Sequence, residues 1–516
     1  MFLPHGAWSR PHFTFDPFSL GVASGSPESN SVVLWTRLAI PGLPASSLGS
    51  DPVTVRWQVA HDDQFQRVVQ SGQSTAHADL AHSVHVEVAG LEADRWYFYR
   101  FMAGDAISPV GRTRTFPKPG AAVNRLRLGY ASCQKWEDGY FTAWRHMREE
   151  NLDAVMFLGD YIYEYPALQS KVRSPSGGWV LTLDDYRQRY ALYKGEADLQ
   201  AMHAACPWLM TWDDHEVQND YAGLQPGYSS ASDPSNPADF LTRRAAAYQA
   251  YYEHMPIRAA TLAQGLGELV DAIRTGAGMR IHSRVPYGRL ASLYLLDTRQ
   301  HKDPQVCSRG GAPGSAMVDP ATCAPWHNPQ RSLLGAQQER WLFNEFAQSQ
   351  SRETGWTVLG QSSLFGQRDF KVGPEQTLWN DGWDGYTGAR TRLTDALRKQ
   401  AVANPVLLGG NVHENWVGHV KADFADPRSA SVGVEFCGTS ITSRSGGNAK
   451  IPQRLAENPH FVFADAQAKG YGVVEFTPTR LTTTLRVVDD VTRPDTRIET
   501  LASFVVQSGR PVIEQV

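Results

Sequence analysis

Three short segments of the 516-residue chain place potential metal ligands directly after an apolar run. They are Gly159–Tyr163 after residues 153–158, Trp212–Glu216 after residues 208–211, and Gly409–His413 after residues 405–408. Apolar runs of this length are typical of buried strands, and open sheets with parallel strands bind ligands at the carboxyl ends of those strands. Two cations held at such an edge are a common device for hydrolysing phosphate esters.

Asp160 and Tyr163 form the most specific pair. The two oxygens of Asp160 could bridge two cations, whereas Tyr163 is an unusual ligand because its phenol must lose a proton with a pKa of about 10. Only a strongly acidic cation such as ferric iron favours that loss at neutral pH, and the alternative is a packing residue in a tyrosine-rich loop. Cys133 follows the strand expected at 126–131 and could bind the same cation as a thiolate, or be a buried free cysteine.

Asp214 and His215 supply a second set of donors. The carboxylate could bind the second cation, and His215 could contact the phosphate or protonate the leaving alkoxide, a role worth about 10²–10⁴-fold in rate. Asn219 and Asp220 could add oxygen ligands, and ligation by oxygen alone favours calcium or magnesium. The alternative is an acidic helix N-terminus that begins at Asp213.

Asn411 and His413 are two positions apart on a segment expected to be extended, so both side chains could face the cations. Arg299 follows the strand expected at 293–296, and its guanidinium fork could bind a phosphate oxygen. A salt bridge from Arg299 to Asp297 or to another carboxylate is an equal alternative. Asp384 belongs to a polar and aromatic loop, 380–386, that could form a wall of the cleft or precede a helix.

These residues require a layered scaffold, which the apolar periodicity predicts. Residues 15–118 contain short alternating runs without helical patterns, which is typical of an antiparallel β-sandwich, and 118–121 is expected to be a linker. Residues 124–516 alternate strand and helix patterns, which predicts a layered α/β (α+β) domain. Helices are expected at 141–151, 183–193, 238–255, 335–349 and 389–403, and strands at 126–131, 153–158, 208–211, 290–296, 356–360, 405–408, 431–436, 472–476, 481–487 and 499–506; the last three of these strands are expected to be antiparallel. Residues 221–236 and 303–330 are expected to form long surface loops.

Composition narrows the classes of partner. The net charge is −4 and no long run of Lys or Arg occurs, so no surface for general nucleic-acid or membrane binding is expected. No apolar stretch approaches the roughly 20 residues needed to span a bilayer. The start, Met1–Gly6, lacks a signal pattern, which indicates a cytosolic protein or a chain numbered after a removed signal. Cys307 and Cys323 are expected to pair, which favours an oxidising compartment.

Together the motifs resemble the PhoD-type alkaline phosphatases and phosphodiesterases, which are relatives of purple acid phosphatases. The resemblance covers nearly the whole chain. It is carried by Leu20–Gly25, Leu34–Arg37, Gly159–Glu164, Trp212–Val217, Leu296–Arg299 and Gly410–His413.

The resemblance implies a metallophosphoesterase domain of two packed mixed sheets flanked by helices. It implies ferric iron held by Cys133, Asp160, Tyr163 and His413, with Asp160 bridging to a second metal. That metal, calcium with zinc or magnesium as alternatives, would be held by Asp214 and Asn411, with Asn219 as a further ligand. Family members usually have Asp where this chain has Asn411.

The resemblance also implies an activity and a location. His215 would face the scissile phosphate of a monoester or diester, which a hydroxide between the metals would attack. Family members are exported, so a periplasmic or secreted protein is expected. The alternatives are a purple-acid-like monoesterase and a non-catalytic extracellular binding protein with a degenerate metal site.

Overall fold

The computed structural model describes residues 12–166, 172–175, 177–228, 233–234, 237–261, 278–349 and 355–516. Numbered along the chain, the strands are β1 (Val22–Gly25), β2 (Ser31–Arg37), β3 (Val53–Ala60), β4 (Val68–Ala76), β5 (Ser83–Ala89), β6 (Trp96–Ala103), β7 (Ala106–Ile107), β8 (Gly111–Arg114), β9 (Leu126–Ala131), β10 (Ala154–Leu158), β11 (Trp208–Thr211), β12 (Ser283–Tyr287), β13 (Ala291–Leu295), β14 (Met317–Val318), β15 (Trp356–Gly360), β16 (Leu378–Trp379), β17 (Pro405–Gly409), β18 (Asn415–Lys421), β19 (Ser431–Cys437), β20 (Phe461–Asp465), β21 (Lys469–Phe476), β22 (Arg480–Val488), β23 (Ile498–Gln507) and β24 (Arg510–Gln515). The α-helices of the same residues are α1 (Thr142–Met147), α2 (Leu183–Lys194), α3 (Ala197–His203), α4 (Phe240–His254), α5 (Gly335–Ser349), α6 (Thr387–Lys399) and α7 (Ile451–Glu457).

Two large mixed sheets carry most of the strands. The ten-stranded sheet has the order β24-β23-β22-β21-β9-β10-β11-β1-β2-β5, and its strands β9, β10 and β11 are parallel. The seven-stranded sheet has the order β12-β13-β15-β17-β19-β18-β20, with β13, β15, β17 and β19 parallel. As predicted, β21, β22 and β23 are antiparallel.

The two sheets share one apolar core, to which the larger sheet contributes Leu128 and Met156 and the smaller one Val358 and Leu408. Helices α1 to α4 cover the other face of the larger sheet through residues such as Trp144. Helices α5 and α6 cover the other face of the smaller sheet. A buried hydrogen bond from Thr211 Oγ1 to the carbonyl of Leu296, 3.0 Å long, joins the ends of β11 and β13. The carboxyl ends of parallel strands from both sheets therefore meet at one edge.

The N-terminal strands β1 to β8 are antiparallel to their neighbours within this region, as predicted, but they do not form a detached unit. Strands β1, β2 and β5 continue the ten-stranded sheet, because β1 pairs in parallel with β11 at Gly25 and Trp208. Strands β3, β4, β6, β7 and β8 form a separate sheet, and both groups contribute to a common core. The N-terminal region is thereby joined to the strand that precedes Asp213 and Asp214.

Most predicted elements are confirmed, with differences at their ends. The helix expected at 141–151 is only Thr142–Met147, because the chain tightens into a 3-10 turn and Asn151 takes a left-handed φ of 50°. The helix expected at 389–403 begins at Thr387 and ends at Lys399, before Ala401 with a φ of 47°. Met1–Gly6 and part of the 221–236 loop lie outside the described residues.

The disulfide expected between Cys307 and Cys323 is present, with 6.1 Å between the Cα atoms. Cys133, Cys206 and Cys437 are buried free cysteines. Among the described helices, none combines the length and the apolar composition needed to cross a membrane.

Candidate metal centre

Four of the seven predicted ligands lie at positions with strained backbone. Cys133, Asp160, Asn411 and His413 have φ values of 60°, 59°, 65° and 58°, in the left-handed region that residues with a Cβ seldom occupy. The extended conformation predicted for 411–413 is therefore wrong, and the Val412 N–H instead donates to the carbonyl of Gly410 at 2.8 Å. Such strain persists only where surrounding structure imposes it, which is common at functional sites.

Two glycines allow these loops to pack closely against one another. Gly159 has a φ of 100°, and a Cβ on it would lie 2.5 Å from the backbone nitrogen of Asp213. A Cβ on Gly410 would lie 2.3 Å from Ser132 Oγ. The loop after β10 is thus pressed against the loop after β11, and the loop after β17 against the loop after β9.

Glu216 fastens two of these loops with one buried carboxylate. Its oxygens accept the backbone N–H groups of Asp160 at 3.1 Å, Tyr161 at 2.6 Å and Asp213 at 2.9 Å. A carboxylate that accepts several backbone donors is a strong local organiser. Glu216 is not among the site residues predicted from the sequence. Its position directly after Asp213, Asp214 and His215 was the one indication of such a role.

One group of donors surrounds the first predicted cation position. Ligand atoms of Cys133, Asp160 and His413 all lie within 4.8 Å of one another. Tyr163 Oη donates to Asp160 Oδ2 at 3.0 Å and lies 3.2 Å from His413 Nε2. His413 Nδ1 is 2.8 Å from the carbonyl of Arg444. A hydrogen bond there requires the proton on Nδ1, so Nε2 is the ring nitrogen that could bind a metal.

A second group shares a member with the first. Ligand atoms of Asp160, Asp214 and His215 also lie within 4.8 Å of one another, so Asp160 belongs to both groups. Within the described ranges, Asp160 Oδ1 is a buried carboxylate oxygen that lacks a hydrogen-bond partner. Buried charges are costly unless paired or bound to metal, so this arrangement fits a pair of cations.

The acidities of the donors support the same fit. Burial, and after it the Asp160 carboxylate, hold the pKa of Cys133 and of Tyr163 well above the ordinary values. The thiol and the phenol therefore stay protonated at neutral pH unless a strongly positive group lies beside them. A cation of high charge is the group that would convert both into ligands.

Glu164 holds His215 in place, although it is not among the site residues predicted from the sequence. His215 Nδ1 lies 2.7 Å from Glu164 Oε2, and the imidazole ring packs on Tyr163 with 4.1 Å between ring centroids. Burial opposes protonation of His215, but Glu164, Asp160 and Asp214 together hold its pKa well above the ordinary value. The other Glu164 oxygen accepts the N–H of Asn219 at 2.8 Å. Glu164 follows Tyr163 in the sequence, so its place in the motif was the signal.

Asn219 lies at the margin of the centre. Its side-chain Nδ2 donates to the carbonyl of Tyr228 at 2.9 Å, and the residue is only partly buried. The amide nitrogen is therefore directed to the 221–228 segment, and only the amide oxygen remains as a ligand atom.

No helix begins at Asp213, so the alternative of an acidic helix N-terminus is wrong. Residues 213–220 form turns, in which the Val217 N–H donates to the carbonyl of Asp214 at 2.8 Å. Asp213 instead accepts from Arg299 Nε at 2.5 Å and from Ser362 Oγ at 2.8 Å.

Arg299 is buried and engaged by three carboxylates. Besides Asp213, its guanidinium lies 3.2 Å from Asp214 Oδ1 and 2.8 Å from Asp381 Oδ2. This geometry matches the alternative in which Arg299 pairs with carboxylates. Asp297 is not one of the paired carboxylates; it accepts the backbone N–H of Arg299. Asp384, of the 380–386 loop, pairs with Arg390 of α6 at 2.5 Å.

Comparison with known proteins identifies the family. Residues 128–485 match the PhoD-like phosphatase family, and residues 5–117 match the N-terminal domain of PhoD-like phosphatases. The chain belongs to the PhoD-like phosphatase family. It is 42% identical over 516 residues to alkaline phosphatase D of Bacillus subtilis (strain 168). The match covers 98% of this chain and 84% of that relative.

A solved structure of PhoD agrees with the whole architecture. It superposes with a TM-score of 0.89 at 42% identity, covering 98% of this chain and 93% of that one. The chain is thus a PhoD-like phosphoric ester hydrolase with a mixed α/β fold, and its activity depends on metal.

Proposed function

We propose that this PhoD-like phosphatase hydrolyses both phosphomonoesters and phosphodiesters at the centre built around Asp160. The observation that carries the proposal is the membership of Asp160 in two groups of donor atoms, each within 4.8 Å. A shared carboxylate is what a pair of neighbouring cations requires.

Cys133, Asp160, Tyr163 and His413 would hold ferric iron, a cation acidic enough to deprotonate a buried phenol and thiol. Asp160, Asp214 and Asn411, with the amide oxygen of Asn219, would hold calcium, for which zinc and magnesium are the alternatives. When bound, the cations would polarise the phosphate and lower the pKa of water. Because Asn411 is neutral where the family usually has Asp, we expect weaker calcium binding than an aspartate would give.

His215 would protonate the departing alkoxide. Since Nδ1 is committed to Glu164 at 2.7 Å, Nε2 is the ring nitrogen left to face the substrate. Glu164 also favours the imidazolium form, which is the form that can donate a proton. The proposed roles are therefore a general acid, His215, and a residue that orients it, Glu164.

Arg299 would act through the carboxylates rather than on the phosphate. All of its ion pairs are with buried acids, and the side chain is 2% exposed. Releasing it toward a substrate would leave buried carboxylates unpaired, which is strongly unfavourable. We therefore assign Arg299 the positioning of Asp213 and Asp214.

The finer architecture is part of the same proposal. The core shared by the two groups of N-terminal strands supports a β-sandwich over 15–118, and the two packed sheets with outer helices support a metallophosphoesterase domain over 124–516. The disulfide between Cys307 and Cys323 supports a periplasmic or secreted location, since such bonds persist in oxidising compartments.

Elemental analysis together with two substrates tests the function. The purified protein is assayed on a nitrophenyl phosphate monoester and on a bis-nitrophenyl diester, before and after chelation and after re-addition of calcium. We expect iron and a divalent metal in comparable amounts, turnover of both substrates, and loss of turnover on chelation. Full turnover by metal-free protein would refute the mechanism, and turnover of the monoester alone would restrict the enzyme to monoesters.

A further inference from the structure

The carboxylate of Asp214 is oriented by two neighbours. Oδ2 accepts the backbone N–H of Asp220 at 2.7 Å, and Oδ1 lies 3.2 Å from Arg299 Nη2. Asp214 and Arg299 are almost completely buried. The position of each oxygen therefore depends on how firmly Asp220 and Arg299 are themselves held.

One side-chain amide ties these two supports together. Gln305 Nε2 donates to the carbonyl of Asp220 at 2.7 Å and to Asp381 Oδ1 at 2.6 Å. Asp381 in turn pairs with Arg299 at 2.8 Å. Asp214, Asp220, Gln305, Asp381 and Arg299 thus form a closed ring of hydrogen bonds and ion pairs, in which Gln305 is the link from a surface loop.

The conformation of Asp220 is also held by Ser315, a residue that follows Gln305 in the same surface segment. The Asp220 φ of 58° lies in the left-handed region, which a residue with a Cβ keeps only when its surroundings impose it. The Asp220 carboxylate accepts Ser315 Oγ at 2.6 Å and the Ser315 N–H at 3.2 Å. Ser315 lies within the segment closed by the disulfide between Cys307 and Cys323, and Gln305 lies two positions before it.

We propose that Gln305 is a positioning residue for Asp214, and that Gln305 together with Ser315 of the disulfide-closed loop 307–323 sets the affinity of the second cation site through Asp220. The inference rests on the proposed function, because it assumes that Asp214 binds a cation. In the part of the chain that the structure describes, no hydrogen bond joins Cys133, Tyr163 or His413 to this loop. The effect is therefore selective for one of the two cations.

The test is Gln305→Met, which keeps the length of the side chain and removes its donor. The matched control is Gln330→Met, at an exposed position beyond the disulfide-closed segment. Full-length protein that retains iron but has been freed of divalent metal is titrated with calcium alone by calorimetry, and its iron content and visible absorbance are recorded. Losing a hydrogen-bonding partner of a metal ligand typically costs about 10–100-fold in affinity. Because Gln305 reaches Asp214 only through Asp220 and through Asp381 and Arg299, we expect a loss of about tenfold or less for Gln305→Met. Iron and colour should be unchanged, and the control should behave as the wild type.

Ser315→Ala removes the hydroxyl bond from the disulfide-closed loop to Asp220, keeps the backbone N–H bond, and is expected to weaken calcium binding in the same direction but by less. Wild-type calcium affinity in Gln305→Met would overturn the inference while leaving the proposed function intact. Parallel loss of iron and calcium with a lower melting temperature would also overturn it, because Gln305 would then be a general structural residue. If wild-type protein with iron bound no divalent metal, the assignment of the second cation site would itself be refuted, and the inference with it.

Discussion

The two halves of the metal centre are organised in different ways. In the first half, the ligand atoms of Tyr163, His413 and Asp160 contact one another directly, at 3.0 and 3.2 Å from the phenol oxygen. In the second half, Asp214 and His215 are each held by charged partners outside the donor set, namely Arg299 and Glu164. One half is thus a cluster of donors, and the other is a set of donors held by surrounding charges.

This difference indicates what each half requires from its cation. The first half contains a phenol and a thiol whose pKa values are raised by burial, so it becomes a set of anionic ligands only when a strongly acidic cation is present. In the second half, burial opposes ionisation of Asp214, but the charges of Arg299 and His215 hold its pKa below the ordinary range. The second half is therefore organised before its cation binds, and we expect its affinity to depend on these neighbours as well as on the donors.

Asp160→Ala should give the largest effect, because Asp160 is the residue that both halves share. We expect both cations to be lost and turnover to fall by about a thousandfold or more, at least as much as removal of one oxyanion donor typically costs. Metal content by elemental analysis and kcat on a diester substrate measure this together.

The control for that variant is Asp495→Ala, at a carboxylate whose side chain is 72% exposed. Asp495 should tolerate the change with wild-type metal content and turnover. If Asp160→Ala instead kept either cation at full occupancy, Asp160 would not be a ligand that the two halves share, and the halves would be independent sites.

Tyr163→Phe should separate the halves. The change removes one ligand of the first half and leaves Asp214 untouched, so iron affinity should fall by more than the roughly 10–100-fold that losing a partner of a ligand costs. The visible absorbance should disappear with the phenolate, while calcium binding by Asp214 should persist. Iron titration followed by absorbance spectroscopy and calcium calorimetry report the two halves separately.

Tyr161→Phe is the matched control, since Tyr161 lies in the same loop but its hydroxyl is 2.8 Å from His203 Nε2, within the helical core and away from the donors. It should keep iron and colour. A coloured, iron-replete Tyr163→Phe protein would show that the phenol is a packing residue, the alternative that the tyrosine-rich loop left open.

The sequence predicted the parts of the centre that depend on local pattern. An apolar run followed by Asp160, or by Asp213 and Asp214, indicates a buried strand and the loop after it. Strand β10 ends two residues before Asp160, and β11 ends two residues before Asp213. The expectation that the carboxyl ends of these strands lie close together follows from the same pattern. Periodicity therefore predicted where the strands end, and the residue types there, with the family resemblance, predicted the ligands.

Long-range packing determined what the sequence left open. The left-handed backbone of Asn411 and His413 and the close approach of Gly410 to Ser132 belong to the contact between two loops that are distant in the sequence, and no local pattern predicts them. Arg299 has Asp381 as a partner, 82 positions away, and the continuation of the N-terminal strands into the large sheet depends on a pairing between Gly25 and Trp208. Such contacts depend on tertiary structure, so the alternatives for Arg299 were equal until the fold was known.

Ser443→Ala should give the smallest effect and test whether the first half also relies on a neighbour. Ser443 Oγ lies 2.7 Å from Tyr163 Oη and 2.8 Å from the carbonyl of Cys133, so its hydroxyl has two competing acceptors. A single hydrogen bond of this kind is worth about 0.5–1.5 kcal/mol, so iron affinity should fall by only about two- to twelvefold. Loss of the donor should also raise the energy of the phenolate electrons and move the visible band to longer wavelength. Ser508→Ala, at a residue that accepts from Asn404 near the C-terminal strands, should change neither. A loss of iron as large as that in Tyr163→Phe would mean that the first half depends on its surroundings as much as the second, and the contrast between them would not hold.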